Sequence, residues 1–183
     1  MLEINNISKS FGGKAVLCCL SAAFGSGIHG ISAPSGAGKT TLLRIVAGLE
    51  KPESGTVSGA GRVSFSFQEA RLIPWLGAEK NAAIAEERPG YAKEILKMLG
   101  LSGEYDTPAR SLSGGMQMRV SLARALAAPF DTLLLDEPFS GLDAESTDMA
   151  MSAVRKLCGG RCVLLVTHSS RTLAQCDSVF TLG

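Results

Sequence analysis

The sequence has no marked excess of either charge and few aromatic residues. Its 183 residues include 18 Lys or Arg and 17 Asp or Glu, which gives a formal net charge of +1. Aromatic residues make up only 5% of the chain. A nucleic-acid-binding face is normally basic, so this composition gives no reason to expect nucleic acid among the partners.

Long hydrophobic runs are also missing. No apolar stretch approaches the length of a membrane span, although 45% of the residues are hydrophobic. The N-terminal stretch MLEINNISKS lacks the basic-then-apolar pattern of a secretory signal. We expect a single globular domain, residues 1–183, with a real core.

The cysteine pattern contains no C-x-x-C pair. The five cysteines are Cys18, Cys19, Cys158, Cys162 and Cys176. We expect buried free thiols in a reducing cytosol rather than disulfides or a metal site. Because side chains alternate along a strand, Cys18 and Cys19 should point to opposite faces.

The hydrophobic pattern predicts an α/β fold. Residues 2–7 and 15–24 read as two strands joined by a turn, which indicates a small N-terminal antiparallel sheet. Residues 132–135 and 162–167 are unalternated apolar runs, typical of strands buried on both faces of a parallel sheet. Helical patterns separate these strands, so we predict a mainly parallel sheet core with a helical subdomain at about residues 70–127.

A glycine-rich segment follows a short predicted buried strand that ends with Ile28, Ile31 and Ser32. Residues 33–40 read A-P-S-G-A-G-K-T, the pattern of a phosphate-binding loop with Ala33 at the usual first glycine. Gly36 and Gly38 permit close approach of backbone N–H groups to phosphate, and the following helix points its N-terminus there. Lys39 can reach the β- and γ-phosphates, and the Thr40 hydroxyl can ligate Mg²⁺. A surface turn is the alternative, which the flanking strand and apolar helix disfavour.

Polar residues follow the other predicted strands. Asp136 and Glu137 come after residues 132–135, His168 comes after residues 162–167, and Gln68 follows RVSFSF. Ligands collect beyond the carboxyl ends of parallel strands. Asp136 can hold Mg²⁺ through water, and Glu137 can polarise an attacking water. The structural alternative for this acidic pair is a helix cap or a surface salt bridge.

These motifs together resemble the nucleotide-binding subunits of ABC transporters. The loop at 33–40 matches Walker A, residues 132–137 match Walker B with the catalytic Glu, and residues 140–143 match the D-loop. Residues 112–117, LSGGMQ, resemble the signature motif, which other phosphate-loop proteins lack. The segments QEARLIPWL and LSGGMQMRVSLARAL are further similar to importers of the nitrate, sulfonate, taurine and thiamine group.

The resemblance implies a P-loop ATPase that binds ATP and Mg²⁺ between two subunits. It implies catalytic roles for Lys39, Gln68, Glu137 and His168, and metal ligation by Thr40, Gln68 and Asp136. The implied ATP-binding residues are Phe11, Ala33, Pro34, Ser35, Gly36, Ala37, Gly38, Lys39, Thr40 and Thr41. The signature residues acting on the partner's nucleotide are Ser113, Gly114, Gly115, Met116 and Gln117, with Asp143 in the D-loop.

The implied partners are integral membrane permease subunits, an extracytoplasmic solute-binding protein and a second copy of the chain in an ATP-dependent homodimer. Such a subunit sits peripherally on the cytoplasmic face of the cell membrane. It couples ATP hydrolysis to solute import through the separate permease.

Several local interpretations remain open beside this resemblance. Phe11 can stack on adenine or be an ordinary turn aromatic. Leu72 and Trp75 can dock the permease, or Trp75 can cap the core of the helical insertion. The competing functions are a small-molecule kinase, an ABC protein of DNA repair and a binding-only subunit. The signature, the absence of heptads and the filled catalytic positions argue against these three in turn.

Overall fold

The computed structural model describes residues 1–34 and 36–182. The strands are β1 (Leu2–Phe11), β2 (Lys14–Phe24), β3 (Gly27–Ser32), β4 (Ser54–Ser58), β5 (Val63–Ser66), β6 (Thr132–Asp136), β7 (Cys162–Val166) and β8 (Ser178–Thr181). The α-helices are α1 (Lys39–Val46), α2 (Ala78–Ala82), α3 (Tyr91–Met98), α4 (Gly114–Ala127), α5 (Ala144–Cys158) and α6 (Ser170–Leu173). None of the helices described has both the length and the apolar character needed to cross a membrane.

The chain forms two compact units. The first unit contains residues 1–63, 131–136 and 160–183, and the second contains residues 64–130 and 137–159. The first unit is therefore assembled from three separate stretches of sequence. The prediction of one domain with a helical subdomain at about residues 70–127 stays a prediction.

The first unit contains the expected small antiparallel sheet. Strands β1 and β2 form the predicted hairpin, and β4 pairs with the other edge of β1, giving the order β2-β1-β4. Strand β4 was not expected, because SGTVS is small, polar and without apolar alternation. Gly55 allows this strand to approach β1, since a Cβ there would lie 2.3 Å from the Asn5 carbonyl oxygen.

Three register shifts interrupt the pairing of β1 with β2, and the first two are the following β-bulges. At the first, Asn5 and Asn6 lie opposite Ser21 alone, and at the second, Cys18 and Cys19 lie opposite Ser8 alone. The extra residue in each bulge breaks the alternation of side chains. Cys18 and Cys19 are both exposed. The prediction of buried thiols is therefore wrong for this pair, whereas their placement on opposite faces stays a prediction.

The parallel sheet of the first unit carries the buried core. Strands β6, β7, β3 and β8 lie in that order, with all three neighbouring pairs parallel. Every residue of β6 and of β7 is buried, as their unalternated apolar sequences predict. Helix α1 packs against β6 and β7. The predicted fold class, α/β with a mainly parallel core and a small antiparallel sheet, is confirmed.

The second unit is mostly helical and is organised around α4. Helices α2, α3 and α5 all contact α4, whose buried residues include Val120, Ala123 and Leu126. In the first part of the predicted helical region, the helical elements described are α2 and a 3₁₀ turn at Ala83–Ala85. The fully buried Asn81 amide bonds the backbone of Ile73 and Leu76, so it ties the preceding loop to α2.

Candidate functional site

The phosphate loop connects β3 to α1 in the first unit. Gly36 and Gly38 have φ values of 78° and 91°, in the left-handed region that favours glycine. A Cβ on Gly36 would meet nothing within 4 Å, whereas one on Gly38 would lie 2.8 Å from Val16 Cγ1 and 2.9 Å from Leu17 Cδ2. Gly38 is therefore required both by its backbone angle and by the close packing of β2. Ser35 lies outside the described residues.

Lys39 begins α1 and folds back over this loop. Its side chain is almost completely buried, and Nζ donates to the carbonyl oxygens of Ala33 at 2.7 Å and Pro34 at 3.0 Å. An ammonium carries three donors, so these two bonds fix its position without using its whole capacity. The loop thus holds one positive charge beside the N-terminus of α1, where backbone N–H groups also favour an anion.

Thr40 and Asp136 join the loop to the end of β6. The Thr40 hydroxyl donates to Asp136 Oδ2 at 2.8 Å, and Asp136 is only 2% exposed. Burial raises the pKa of the Asp136 carboxyl, while the Thr40 hydrogen bond and the charges of Arg44 and Lys39 oppose that shift. We call Ala33, Pro34, Lys39, Thr40 and Asp136 the phosphate-loop cluster.

The carboxyl ends of three neighbouring strands meet at one edge of the sheet. Val166 of β7 pairs in register with Asp136 of β6 and with Ile31 of β3. The phosphate loop, Asp136 and His168 therefore leave the sheet on the same edge, as expected from a parallel arrangement. His168 is exposed and lies two residues beyond the end of β7.

Phe11 ends β1 at the tip of the hairpin. Its side chain is 49% exposed, and Lys9 Nζ lies 5.0 Å from the centroid of its ring. The exposed ring can offer a face for stacking, and the Lys9 ammonium is paired with Glu50 Oε1 at 2.6 Å. Adenine stacking by Phe11 stays a prediction.

The signature segment forms the N-terminus of α4 in the second unit. Ser113 is the N-cap, and its Oγ accepts a hydrogen bond from the Met116 backbone N–H at 3.3 Å. Gln117 Nε2 donates to the Leu112 carbonyl oxygen at 3.0 Å, which closes the turn. Ser113 and Gly114 are exposed, so the first turn of this 14-residue helix faces solvent.

The two signature glycines differ in their surroundings. A Cβ on Gly114 would meet nothing within 4 Å. One on Gly115 would lie 3.1 Å from Leu142 Cδ2 and 3.2 Å from the Gly141 carbonyl oxygen. The D-loop of the same chain thus packs on Gly115, a contact between motifs 26 or so positions apart that no local pattern could have revealed.

Asp143 caps the helix that follows the D-loop. Its Oδ1 accepts from the Ser146 backbone N–H at 2.7 Å, and this bond lowers the pKa of the carboxyl. Arg119, on α4, lowers it further through its charge, and Nη1 of Arg119 donates to the Leu99 carbonyl oxygen at the end of α3. Sequence reasoning missed Arg119, because nothing in its neighbourhood marks it as a link between elements.

Gln68 and Glu137 also lie in the second unit. Gln68 is exposed and follows β5, as expected. Glu137 has a φ of 49°, a left-handed backbone that is uncommon for a residue other than glycine. Its carbonyl oxygen accepts from the Ser140 N–H at 3.1 Å, so a tight turn separates it from the D-loop. Strained backbone of this kind is often concentrated at functional sites.

Comparisons with known proteins agree with this arrangement. The family model described as ABC transporter matches residues 24–140. The chain is 40% identical to the aliphatic sulfonates import ATP-binding protein SsuB 1 of Pseudomonas savastanoi pv. phaseolicola, covering 100% of this chain and 81% of that protein. It is 37% identical to the taurine import ATP-binding protein TauB of Escherichia coli O157:H7, covering 92% of this chain and 73% of that protein.

Solved structures agree with the fold and with the family. A dimeric ATP-binding cassette in a post-hydrolysis state, bound to ADP and Pi, matches with a TM-score of 0.89 at 27% identity. The match covers 100% of this chain and 94% of that chain. The chain belongs to the ABC transporter family, as an ATP-binding and ATP-hydrolysing import subunit that works with separate permease subunits.

Proposed function

We propose that the phosphate-loop cluster is where this chain binds Mg²⁺ and the phosphates of ATP. The observation that carries the proposal is the 2.8 Å hydrogen bond from the Thr40 hydroxyl to Asp136, beside the buried Lys39. A cation, a hydroxyl and a carboxylate are thereby fixed at the N-terminus of a helix. Such a set suits a phosphate chain and a divalent cation together.

The donor atoms of the cluster fit Mg²⁺. Thr40 and Asp136 offer hard oxygen atoms, which this ion prefers, and magnesium sites in phosphoryl-transfer proteins need only one or two protein oxygens. The described residues contain no group of three or more His, Cys, Asp or Glu that would suit another kind of metal centre. When bound, Mg²⁺ neutralises phosphate charge, and we propose that Gln68 is a further ligand.

The catalytic roles follow from the chemistry of the side chains. Lys39 stabilises negative charge on the phosphates, and Glu137 polarises the attacking water. We assign His168 and Gln68 to the γ-phosphate and the water. Adenine stacks on Phe11. The remaining proposed ATP-binding residues are Ala33, Pro34, Ser35, Gly36, Ala37, Gly38, Thr40 and Thr41.

The signature segment acts on the nucleotide of a second copy. Its exposed helix N-terminus, capped by Ser113, offers backbone N–H groups to an anion outside the chain. We assign Gly114, Gly115, Met116 and Gln117 to this surface, with Asp143 beside it. ATP then joins two chains into a homodimer, and hydrolysis separates them.

Import subunits of this family are peripheral to the membrane and dimerise. We propose that this one lies on the cytoplasmic face of the cell membrane and that an extracytoplasmic solute-binding protein delivers the solute. Its similarity to SsuB 1 and TauB favours an organosulfonate as that solute. Uptake of labelled taurine and of an alkanesulfonate by cells with and without the gene would test this assignment.

The permease is proposed to dock on the loop before α2. Trp75 is 71% exposed, so it does not cap the helical core, and Leu72 is half-buried beside it. Arg124 braces this loop by donating to the carbonyl oxygens of Ala70 and Arg71, each at 2.9 Å. An exposed aromatic on a fixed loop is a suitable anchor for a partner helix.

The direct test is ATP turnover by the purified chain with and without Mg²⁺. Lys39→Ala should abolish turnover and ATP binding, because it removes the buried charge of the loop. Lys97→Ala, on the exposed surface of α3, is the matched control and should behave as the wild type does. Normal turnover in Lys39→Ala, or turnover that survives removal of divalent cations, would overturn the assignment of this cluster.

A further inference from the structure

The second β-bulge places two free thiols at adjacent positions on the surface. Cys18 and Cys19 are both exposed and both free, and they face the single residue Ser8 on β1. The Cys19 backbone N–H donates to Ser8 Oγ at 2.9 Å, and the same hydroxyl donates to Cys19 Sγ at 3.8 Å. Ser8 therefore fixes the backbone and the sulfur of Cys19.

The first bulge provides an internal reference for the second. There Asn6 has a φ of 50°, and its N–H donates to Ser21 Oγ at 2.9 Å. Cys19 has a φ of 46° and an equivalent bond to Ser8. Asn commonly adopts this left-handed region, whereas Cys does so rarely. The backbone conformation at the second bulge would thus suit Asn better than Cys. The conformation therefore does not explain why this residue is a cysteine.

A disulfide between the two thiols is disfavoured by covalent geometry. Consecutive Cα atoms are about 3.8 Å apart, and disulfides usually join Cα atoms separated by about 4.4–6.8 Å. A metal or metalloid held between the two sulfurs avoids this restriction on the Cα–Cα distance, because each sulfur then bonds the bound atom and not the other sulfur. Thiolate sulfur is a soft ligand and selects soft ions.

We propose that Cys18 and Cys19 form a vicinal dithiol site for a thiophilic metalloid of the trivalent arsenical class. With phenylarsine oxide, the two S–H bonds and the As–O bond break, two As–S bonds form, and the oxygen leaves as water with both protons. No electrons are exchanged, so the step needs no oxidant. Both sulfurs are required, because a single thiol cannot close the chelate.

The strand that carries this dithiol also supports the phosphate loop. Val16 and Leu17, immediately before Cys18, provide the atoms that a Cβ on Gly38 would meet at 2.8 and 2.9 Å. A chelate that changes the bulge therefore acts on a strand in close packing with the N-cap of α1. This part rests on the proposed function, since it predicts weaker ATP binding when the dithiol is occupied.

The binding arm of the experiment does not depend on ATP hydrolysis. The intact chain is treated with phenylarsine oxide, and its mass is determined by mass spectrometry. The thiols that remain free are then alkylated and identified by peptide mapping. We expect one adduct that survives a monothiol wash, is removed by 2,3-dimercaptopropanol, and protects Cys18 and Cys19. Cys158 and Cys162 are buried, and burial raises the pKa of the Cys162 thiol to about 11, so neither should compete.

Two variants make this arm decisive. Cys19→Asn removes one sulfur while placing Asn at a φ of 46°, so it should fold at least as well as the wild type. Cys18→Ser removes the other sulfur. Both should lose the wash-resistant adduct. An adduct that persists in either variant, or that never forms on the wild type, overturns the site.

The second arm measures the apparent KM for ATP. Occupation of the dithiol should raise it about fivefold, which is the lower end of common allosteric couplings, and 2,3-dimercaptopropanol should reverse the change. Cys19→Asn should be insensitive. An adduct with an unchanged KM would refute the coupling, whereas absent ATP turnover in the untreated chain would refute the proposed function and leave the adduct measurement standing.

Discussion

The two units of this chain use their functional side chains in different ways. In the first unit, Lys39 and Asp136 are buried, and Thr40 bonds Asp136 directly. In the second unit, Ser113 and Asp143 are exposed, and each bonds the first turn of its own helix. The groups of the first unit bond one another, whereas Ser113 and Asp143 of the second unit bond only their own helices and remain exposed to solvent.

The difference is consistent with the proposed composite site, in which the phosphate-loop cluster of one copy and the signature segment of a second copy contact the same nucleotide. Buried, mutually bonded groups can bind phosphate and a cation with little rearrangement, because their positions are already fixed. Exposed helix caps leave a helix N-terminus open to an anion that another molecule carries. The comparison therefore predicts that changes to the phosphate-loop cluster remove nucleotide binding, whereas changes to the signature segment affect events that require a second chain.

The largest expected effect concerns Glu137. Glu137→Gln should stop hydrolysis, because the amide cannot act as a base, while the phosphate-loop cluster remains intact. Gel filtration with ATP and Mg²⁺ should then show a stable dimer that the wild type forms only transiently. A variant that hydrolyses ATP at the normal rate would show that Glu137 is not the base.

Permease docking should be lost when the exposed aromatic is removed. Trp75→Ala, or Leu72→Asp, should leave the fold and basal ATP turnover unchanged but prevent co-purification with the permease and uptake in cells. Ile84→Ala is a control, because Ile84 is also exposed and apolar in the same unit, at 54%. Normal assembly in the Trp75 and Leu72 variants would place docking elsewhere.

The two signature glycines allow a matched pair of substitutions. Gly115→Ala forces Leu142 and the Gly141 carbonyl to move, so it should lower the thermal midpoint by the equivalent of about 1 kcal/mol. Gly114→Ala meets nothing within 4 Å and should leave stability unchanged or raise it by about 0.5 kcal/mol. Thermal unfolding of the chain without nucleotide measures both. Equal midpoints for the two variants would mean that the D-loop contact is unimportant.

The same pair separates stability from catalysis. If Gly114 faces the partner's nucleotide, Gly114→Ala should reduce ATP turnover without a loss of stability. Full turnover in that variant would remove Gly114 from the proposed composite site.

The smallest expected effect is the pH dependence of the Asp143 cap. The pKa of Asp143 is lowered from its ordinary value of 3.8 by the hydrogen bond to Ser146. A lowered pKa contributes stability that is present above the ordinary value and is lost as the pH falls through the folded-state pKa. Asn also caps helices. Thermal midpoints from about pH 7 to about pH 3 should therefore converge for wild type and Asp143→Asn. A constant difference would exclude the charge as its cause.

The buried elements could be predicted from sequence, because their composition leaves few alternatives. Strands β6 and β7 are apolar throughout and lie where the sequence places them. Strand β4 could not be predicted from its own residues. Ser54–Ser58 is a strand because it pairs with β1, and Gly55 permits the close approach of the two backbones. The bulges of β1 and β2 could not be predicted either, because the register is a property of two paired strands and not of either sequence alone.

The same distinction between local sequence and long-range packing applies to the candidate site. The loop at 33–40, Asp136 and His168 could be brought to one edge of the sheet by reasoning alone, because parallel strands end together. The packing of Val16 and Leu17 on Gly38 could not, because it joins positions distant in sequence. Gly115 was expected to contact the partner's nucleotide. The structure shows a second reason for glycine at this position, which is the close packing of the D-loop against it.

The discontinuous construction of the first unit has a consequence for biosynthesis. Strand β3, which leads into the phosphate loop, pairs with β7 and β8, and the Ile28 N–H donates to Asp177 Oδ2 across 149 residues. A chain emerging from the ribosome therefore presents β3 with both edges unpaired until residues 162–181 have been made. Unpaired strand edges invite mispairing, and contacts of such long sequence separation form slowly. The phosphate loop is thus among the earlier parts to be synthesised and among the last to be stabilised by strand pairing.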